Sequence, residues 1–359
     1  MALASAVDSI ATPLSMPRWL AEAADGSLVM YDRVENGLYR VERGVGDAAL
    51  LSTKGAGPME YRVAQGIVLG PGDSLWVMDR PGSKAIVLDS EARPVREQRS
   101  PISSSAADAI GNGWVRAISA TGDWYGSARA MSFAPTFHVD DSASVIIWRR
   151  ATGRTDTLAR VGMRPIDFTS RNAAPRLDAF DPIDAWGVFR DGRVMVVRGR
   201  DYGIELIEPD GRVTRVGRGP TPFLPLTRED AELTRDSLNR ARAEVLRMMP
   251  MNPMSGQAGA TSGGRPPPAL PDPLPANWPL LRSDEIRIDW QDRAWVAVRS
   301  APRDTGGTRY DLFDRDGRYL MAVSVAVGGR VIGFGREAVF VAWPDADELQ
   351  RVKRHPLPE

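Results

Sequence analysis

Residues 70–89 read GPGDSLWVMDRPGSKAIVLD. Glycine, proline and aspartate open the stretch, an alternating apolar run through Leu75 and Val77 follows, and a second turn leads to another run ending on Asp89. Alternation of this kind marks a strand with one buried face, and Gly, Pro and Asp steps mark the turns between strands. The same unit recurs. DGSLVMYDRVENGLYRVERG starts at Asp25, DGRVMVVRGRDYGIELIEPDGRVTRV at Asp191, QDRAWVAVRSAPRDTGGTRYDLFDRDGRYLMAV at Gln291 and REAVFVAWPDADELQRVKRHPL at Arg336.

A shorter strand precedes each unit: RWLAEA from 18, AQGIVLG from 64, DAWGVFR from 184, EIRIDW from 285 and RVIGFG from 330. Polar outer strands such as PVREQRS from 94 and RVTRVGR from 212 follow. A degenerate copy fits between 105 and 161. Four strands per unit, at a spacing of about 45–50 residues, predict propeller blades. The expected fold is all-β: a single-domain, six-bladed β-propeller over 1–359, its last blade completed by the N-terminal strand at 5–12. Closing the ring in that way removes an exposed sheet edge.

Three stretches carry a family resemblance. GAGPMEYRVAQGIVLGPGDSLWVMD (55–79), DAWGVFRDGRVMVVRGRDYGIELIEPDG and the closing pair YDLFDRDGRYL and RVIGFGREAVFVA resemble bacterial six-bladed propellers of the NHL-like type. The resemblance spans nearly the whole chain and implies the fold. It implies no activity, because these motifs are turn and packing chemistry.

The pattern breaks between the fourth and fifth units, over 227–279. TREDAELTRDSLNRARAEVLRMM (227–249) reads as a helix, with Thr227 as its cap, Asp230 at the third position and an imperfect apolar stripe of Leu233, Leu238, Val245 and Leu246. The Pro-, Gly- and Met-rich run after it, with methionines at 248, 249, 251 and 254, cannot pack a core and predicts an extended strap.

Acidic and basic residues cancel at 46 each, which disfavours nucleic acid as a partner. There is no cysteine, so disulfides and thiolate metal sites are excluded. No apolar run approaches the ~18 residues needed to span a bilayer, and no signal peptide is visible. Similar bacterial propellers are often exported, so a periplasmic or extracellular location is expected ahead of a cytoplasmic one. A closed propeller has no need to oligomerise, and a monomer is expected.

Histidine occurs twice, as His138 and His355, which excludes a three-histidine zinc centre. Neither lies beside a nucleophile motif, and GAGPME lacks the Lys–Ser/Thr of a phosphate loop. VDDSAS (139–144) and FDRDGRY (313–319) lack the ligand spacing of an EF-hand, and a DRDG step between strands reads as a hairpin turn. Trp76, Trp148, Trp295 and Trp343 fall within strands and read as packing.

Tyr61, Arg62, Trp124, Tyr125, Trp186, Arg200 and Tyr202 cluster at loops, and such residues anchor interfaces. The expected function is therefore a non-catalytic scaffold that binds a protein, peptide or glycan through one face, without a cofactor. The alternative is a calcium-dependent lactonase of the gluconolactonase type, an architecture that points acids and an asparagine into its central channel. The candidates for that metal are Glu22, Asn112, Asp184 and Asp289, although that family's motifs are not visible here.

Overall fold

The computed structural model describes every residue except 43–45, 53, 56, 58, 81–83, 103–113, 130, 133–137, 165, 168–177, 249–268, 302–306 and 348. In chain order, β1 (Asp8–Ser9), β2 (Pro17–Glu22), β3 (Leu28–Asp32), β4 (Gly37–Val41) and β5 (Ala48–Ser52) come first. β6 (Val63–Leu69), β7 (Leu75–Arg80), β8 (Lys84–Leu88) and β9 (Pro94–Arg99) form an antiparallel four-stranded blade. Next are β10 (Trp114–Ile118), β11 (Trp124–Ala128), β12 (Met131–Ser132), β13 (His138–Val139), β14 (Ser142–Trp148), β15 (Thr155–Gly162) and β16 (Ile166–Asp167). Of these, β10, β11, β14 and β15 make a second blade, and β12, β13 and β16 a small separate sheet. β17 (Ala185–Val188), β18 (Val194–Val197), β19 (Gly203–Ile207) and β20 (Val213–Arg218) build the third blade. The fourth holds β21 (Arg287–Ile288), β22 (Ala294–Val298), β23 (Thr308–Phe313) and β24 (Tyr319–Val325). β25 (Arg330–Phe334), β26 (Ala338–Pro344) and β27 (Gln350–Pro356) end the chain.

The fold is a β-propeller, and its hairpins follow the turn chemistry of the sequence. In the opening stretch Leu75 pairs with Leu88 and Asp79 with Lys84. The aspartate that ends it, Asp89, accepts the backbone N–H groups of Glu91 and Arg93, each at 2.9 Å, and so closes the next turn. Asp289, Asp314 and Asp345 repeat that two-bond pattern, while Asp191 takes a single N–H, from Arg193. Side-chain carboxylates of this kind mimic a backbone turn. Gly192 and Gly317, at φ 92 and 76, supply the left-handed residue that two of these turns need.

The arrangement of blades differs from the six separate ones expected. Four blades stand as independent four-stranded sheets and, apart from the small β12-β13-β16 sheet, the remaining strands form one continuous, curled eight-stranded sheet ordered β1-β27-β26-β25-β2-β3-β4-β5. The join is a parallel pairing of β2 with β25, Leu20 opposite Gly333 and Ala21 opposite Phe334. Periodicity along a chain locates strands but says nothing about gaps between units, so the repeat could not reveal this join. At its outer edge β1 pairs with β27, Asp8 opposite Arg354.

Between the third and fourth blades lies helix α1 (Arg228–Met248). Thr227 caps it: its Oγ1 accepts the Asp230 N–H at 3.1 Å and donates to the Asp230 carboxylate at 2.8 Å. The expected apolar stripe does not face the protein. Leu233 and Leu238 are exposed, and it is Ala231 that packs, against Phe180, Leu226 and Trp278. The side chains of Val245 and Leu246, and residues 249–268 with Met249, Met251 and Met254, lie outside those described. Leu226 N–H donates to Ala276 O at 3.0 Å and Trp278 N–H to Leu224 O at 2.9 Å, so the excursion leaves and returns at one point. Among the described residues no helix is long and apolar enough to cross a membrane.

Candidate functional site

Strands β2, β6, β10, β17, β21 and β25 present their residues to a common central cavity of ≈ 180 Å³. Ala117, Gly187, Ile288 and Gly333 contribute to its wall, alongside Trp19 and Trp290. A concave, partly apolar cavity with a few convergent polar groups has the general form of a small-molecule site.

The end of the channel where these strands finish is tied across. Asp73, delivered by the GPGD turn of the opening stretch, pairs with Arg190 at 2.6 Å and with Arg336 at 3.4 Å. Both guanidiniums lie over the Trp290 ring, 5.1 and 4.5 Å from its centre. Turns from β6–β7, β17–β18, β21–β22 and β25–β26 thus meet over the axis. These partly exposed side chains bridge the channel at that end.

At the opposite end, where the strands begin, arginine dominates. Arg116 stacks on Trp186, 4.3 Å from the ring centre, and reaches across to Asp284 at 2.9 Å. Arg18 at the start of β2, Arg287 on β21 and Arg330 at the start of β25 act on one another electrostatically. Burial, with Arg18 and Arg287 alongside, pushes the Arg330 guanidinium down from 12.5 to about 10, still fully charged at neutral pH. Burial, with Arg33 and Arg287, also lowers Arg18. Arg330 donates to the Pro17 carbonyl at 2.6 Å, and Arg287 lies 3.6 Å from Glu285. The Arg18 Nε is buried with no hydrogen-bond partner among the described residues.

The residues singled out from the sequence are placed elsewhere. Tyr61, Trp124, Tyr125, Trp186 and Tyr202 are all at most 4% exposed, so their rings are internal packing rather than a surface. Tyr61 donates to the Asn36 carbonyl at 3.0 Å, Tyr202 to Asp311 at 2.7 Å, and Trp124 packs edge-on against Trp76. Arg62 and Arg200 are the exposed members of that set. Arg200 lines an outer groove of ≈ 720 Å³ together with Asp184.

The three described candidates for a metal do not come together. Asp184 lies just ahead of β17, whereas Glu22 ends β2 and Asp289 follows β21, at the tied end. Asp184 accepts from the backbone N–H groups of Gly162 and Gly199 and from Arg198. Asp289 accepts from two turn N–H groups, from Arg293 at 2.8 Å and from the Trp295 indole at 2.9 Å. Glu22 accepts the Arg336 N–H at 3.1 Å. Asn112 lies outside the described residues. Among those residues no three His, Asp or Glu side chains gather as a metal-ligating group. Each of the three described carboxylates is engaged within the protein, Asp184 and Asp289 by backbone N–H groups and arginines and Glu22 by the Arg336 N–H.

Sequence reading missed the arginines of the open end. Their signal was present: RWLAEA, EIRIDW, RVIGFG and GWVRAIS each carry an arginine at or near the start of a channel strand. What the fold and this site define is a β-propeller with a central channel bridged at one end and rich in arginine at the other. No family model matches the chain, and no curated protein matches it. Among solved structures it is similar to a member of the DUF4221 family from Bacteroides vulgatus, at 10% identity and TM-score 0.48, covering 98% of this chain and 97% of that one. It is also similar to a streptogramin B lyase, at 10% identity and TM-score 0.46 over 97% of this chain and 96% of the other. A gluconolactonase from Xanthomonas campestris is similar at 11% identity and TM-score 0.45, over 99% and 97% of the two chains.

Proposed function

We propose that the chain is a binding scaffold that takes a ligand, or the end of one, into the mouth of its central channel. The observation that supports this reading is the asymmetry of the channel. Asp73, Arg190, Arg336 and Trp290 bridge one end, while the other keeps polar groups facing a cavity. The aromatics that the sequence put at a docking face are buried, so the protein, peptide or glycan partner expected from the sequence narrows to what enters ≈ 180 Å³. A chain terminus or a small solute fits that space; a folded domain does not.

The test is thermal unfolding of the intact chain against short peptides, oligosaccharides and organic acids. Ligand that binds the native state raises the midpoint by mass action. Ala117→Trp fills the channel wall and should remove that rise while the variant still unfolds cooperatively. Stabilisation that persists in Ala117→Trp puts binding elsewhere and overturns the reading.

A further inference from the structure

We propose that the channel mouth recognises a small multivalent oxyanion, a di- or tricarboxylate or a phosphate ester, with Arg18, Arg287 and Arg330 as its anchoring groups. This rests on the channel reading above and adds the chemistry of the ligand.

Charge is the first argument. Arg18, Arg287 and Arg330 act on one another as like charges at this end of the molecule, Arg33 adds to the charge felt by Arg18, and Arg116 and Arg287 line the cavity. The carboxylates paired with these arginines are Asp284, on Arg116 at 2.9 Å, and Glu285, on Arg287 at 3.6 Å. Arg18 and Arg330 have no ion pair among the described residues, in a chain whose acids and bases otherwise cancel and whose other arginines are widely paired. The neighbouring Asp32 accepts the backbone N–H groups of Met16, Val34 and Glu35 and makes no direct ion pair with Arg18 or Arg330 among the described residues. Tyr310, packed under the cluster, is held neutral by burial.

Geometry is the second. Arg287 stands on the cavity wall, while Arg18 and Arg330 start β2 and β25, two paired strands that line it, and Arg330 is tied to β2 through the Pro17 carbonyl, so residues far apart in sequence gather at the rim. A guanidinium presents parallel donors that match a carboxylate or phosphate two bonds at a time. Arg330 spends Nη2 on the Pro17 carbonyl, which fixes the side chain and leaves its other donors available. Arg18 keeps a buried Nε without a partner. Like charges gathered without partners oppose folding, and such uncompensated strain is a recurrent mark of a site kept for function.

Size is the third. A cavity of ≈ 180 Å³ is the space of a small-solute pocket rather than of a groove for a polymer.

The experiment uses the intact chain, with citrate and inorganic phosphate as probes against chloride at matched ionic strength, read by thermal unfolding and titration calorimetry. Both probes should raise the midpoint of the native protein. Arg18→Gln and Arg287→Gln should each weaken binding by about tenfold or more, as expected when a charge-assisted pair is lost. Arg18→Gln should also unfold no earlier than the parent without anion, because it removes repulsion and no hydrogen bond. A merely structural arginine would do the reverse. Should Arg18→Gln fail to fold, Arg287→Gln carries the same comparison. Equal stabilisation of parent and variants by citrate overturns the proposal. If a neutral peptide or sugar stabilises the parent but not Ala117→Trp, and the oxyanions do nothing, the channel reading stands and the anion inference falls. No response to any solute removes support from both.

Discussion

Gly333 of β25 lies against Leu20 of β2 so closely that a β carbon on it would sit 1.9 Å from the Leu20 carbonyl oxygen. The parallel pairing that joins the two ends of the chain into one sheet depends on that missing methyl group. Gly333→Ala should lower stability by about 1–3 kcal/mol through overpacking, measured by urea unfolding. Gly217→Ala, at a glycine with open space around it, should change it by less than about 0.5 kcal/mol. Two equally small losses would mean that the join is not close-packed.

Asp289 and Arg293 form a buried pair, with the carboxylate fully enclosed and Arg293 also donating to the Pro358 carbonyl at 2.5 Å. Asp289→Ala leaves a buried cation and an unpaired Trp295 indole, and should cost about 3–5 kcal/mol. Asp289→Asn keeps an acceptor for the turn N–H groups and should lose less. The check is denaturant unfolding of the three proteins side by side, and an Asn variant as damaged as the Ala one would contradict the hydrogen-bond account.

Calcium should leave the unfolding midpoint of the native protein unchanged relative to a chelator-treated control. Glu22, Asp184 and Asp289 already accept hydrogen bonds from the protein, and Asp184 sits at the far end of the channel strands from the other two. A clear rise at millimolar calcium would reveal a cation site and reopen the lactonase reading.

Alkaline pH should destabilise the protein. Burial, together with the Glu35 carboxylate that its hydroxyl meets, pushes Tyr39 from 10.0 up to about 12. A group whose folded value is raised contributes stability that is complete below its unfolded value and is lost as pH rises to the folded one, here between 10 and about 12. Burial raises Tyr61, Tyr125 and Tyr202 as well, which extends the loss further. Arg18, Arg129 and Arg330, lowered by burial, work the other way, three groups against the six tyrosines, Tyr31 and Tyr310 included, that burial raises. Urea unfolding at stepped pH should show stability falling above pH 10, with a shallower fall in Tyr39→Phe; a flat profile would contradict the assignment.

Replacing residues 228–275 by a short Gly-Ser linker should leave cooperative unfolding intact. The bonds between Leu226 and Ala276 and between Trp278 and Leu224 hold the two ends side by side, and the cut removes Ala231, Leu270 and Leu274 from the cluster around Trp278 while leaving Phe180, Leu224 and Leu226 on it. Near-ultraviolet circular dichroism together with a melting curve decides it. Loss of a cooperative transition would make the excursion an integral part of the fold.

The strands and hairpin turns were legible because their causes are local. An aspartate that closes its own turn, as Asp89 does, is written within five residues. The join of β2 to β25 was not, because Leu20 and Gly333 are far apart along the chain and meet only in the folded sheet. The same holds for the site. Arg18, Arg287 and Arg330 each read as the polar start of a strand, and only the circular arrangement sets them against one another. Tyr61 and Tyr202 read as loop aromatics because they sit just outside strands, yet neighbouring sheets cover both. Asp289 read as a channel acid, and alternation could not show that Arg293 and Trp295 claim it.

The pairing of β1 with β27 also sets a timetable. Asp8 finds its partner in Arg354, and the Leu3 N–H donates to the Ser324 carbonyl at 3.0 Å. During synthesis at ~5–20 residues per second, the N-terminal segment therefore waits on the order of 15–70 s for the strand that covers it. Until then the edges of the β2–β5 hairpins stand open, a template for pairing with another chain. Premature release, or crowding by neighbouring nascent chains, is the circumstance in which this protein is most exposed to misassembly.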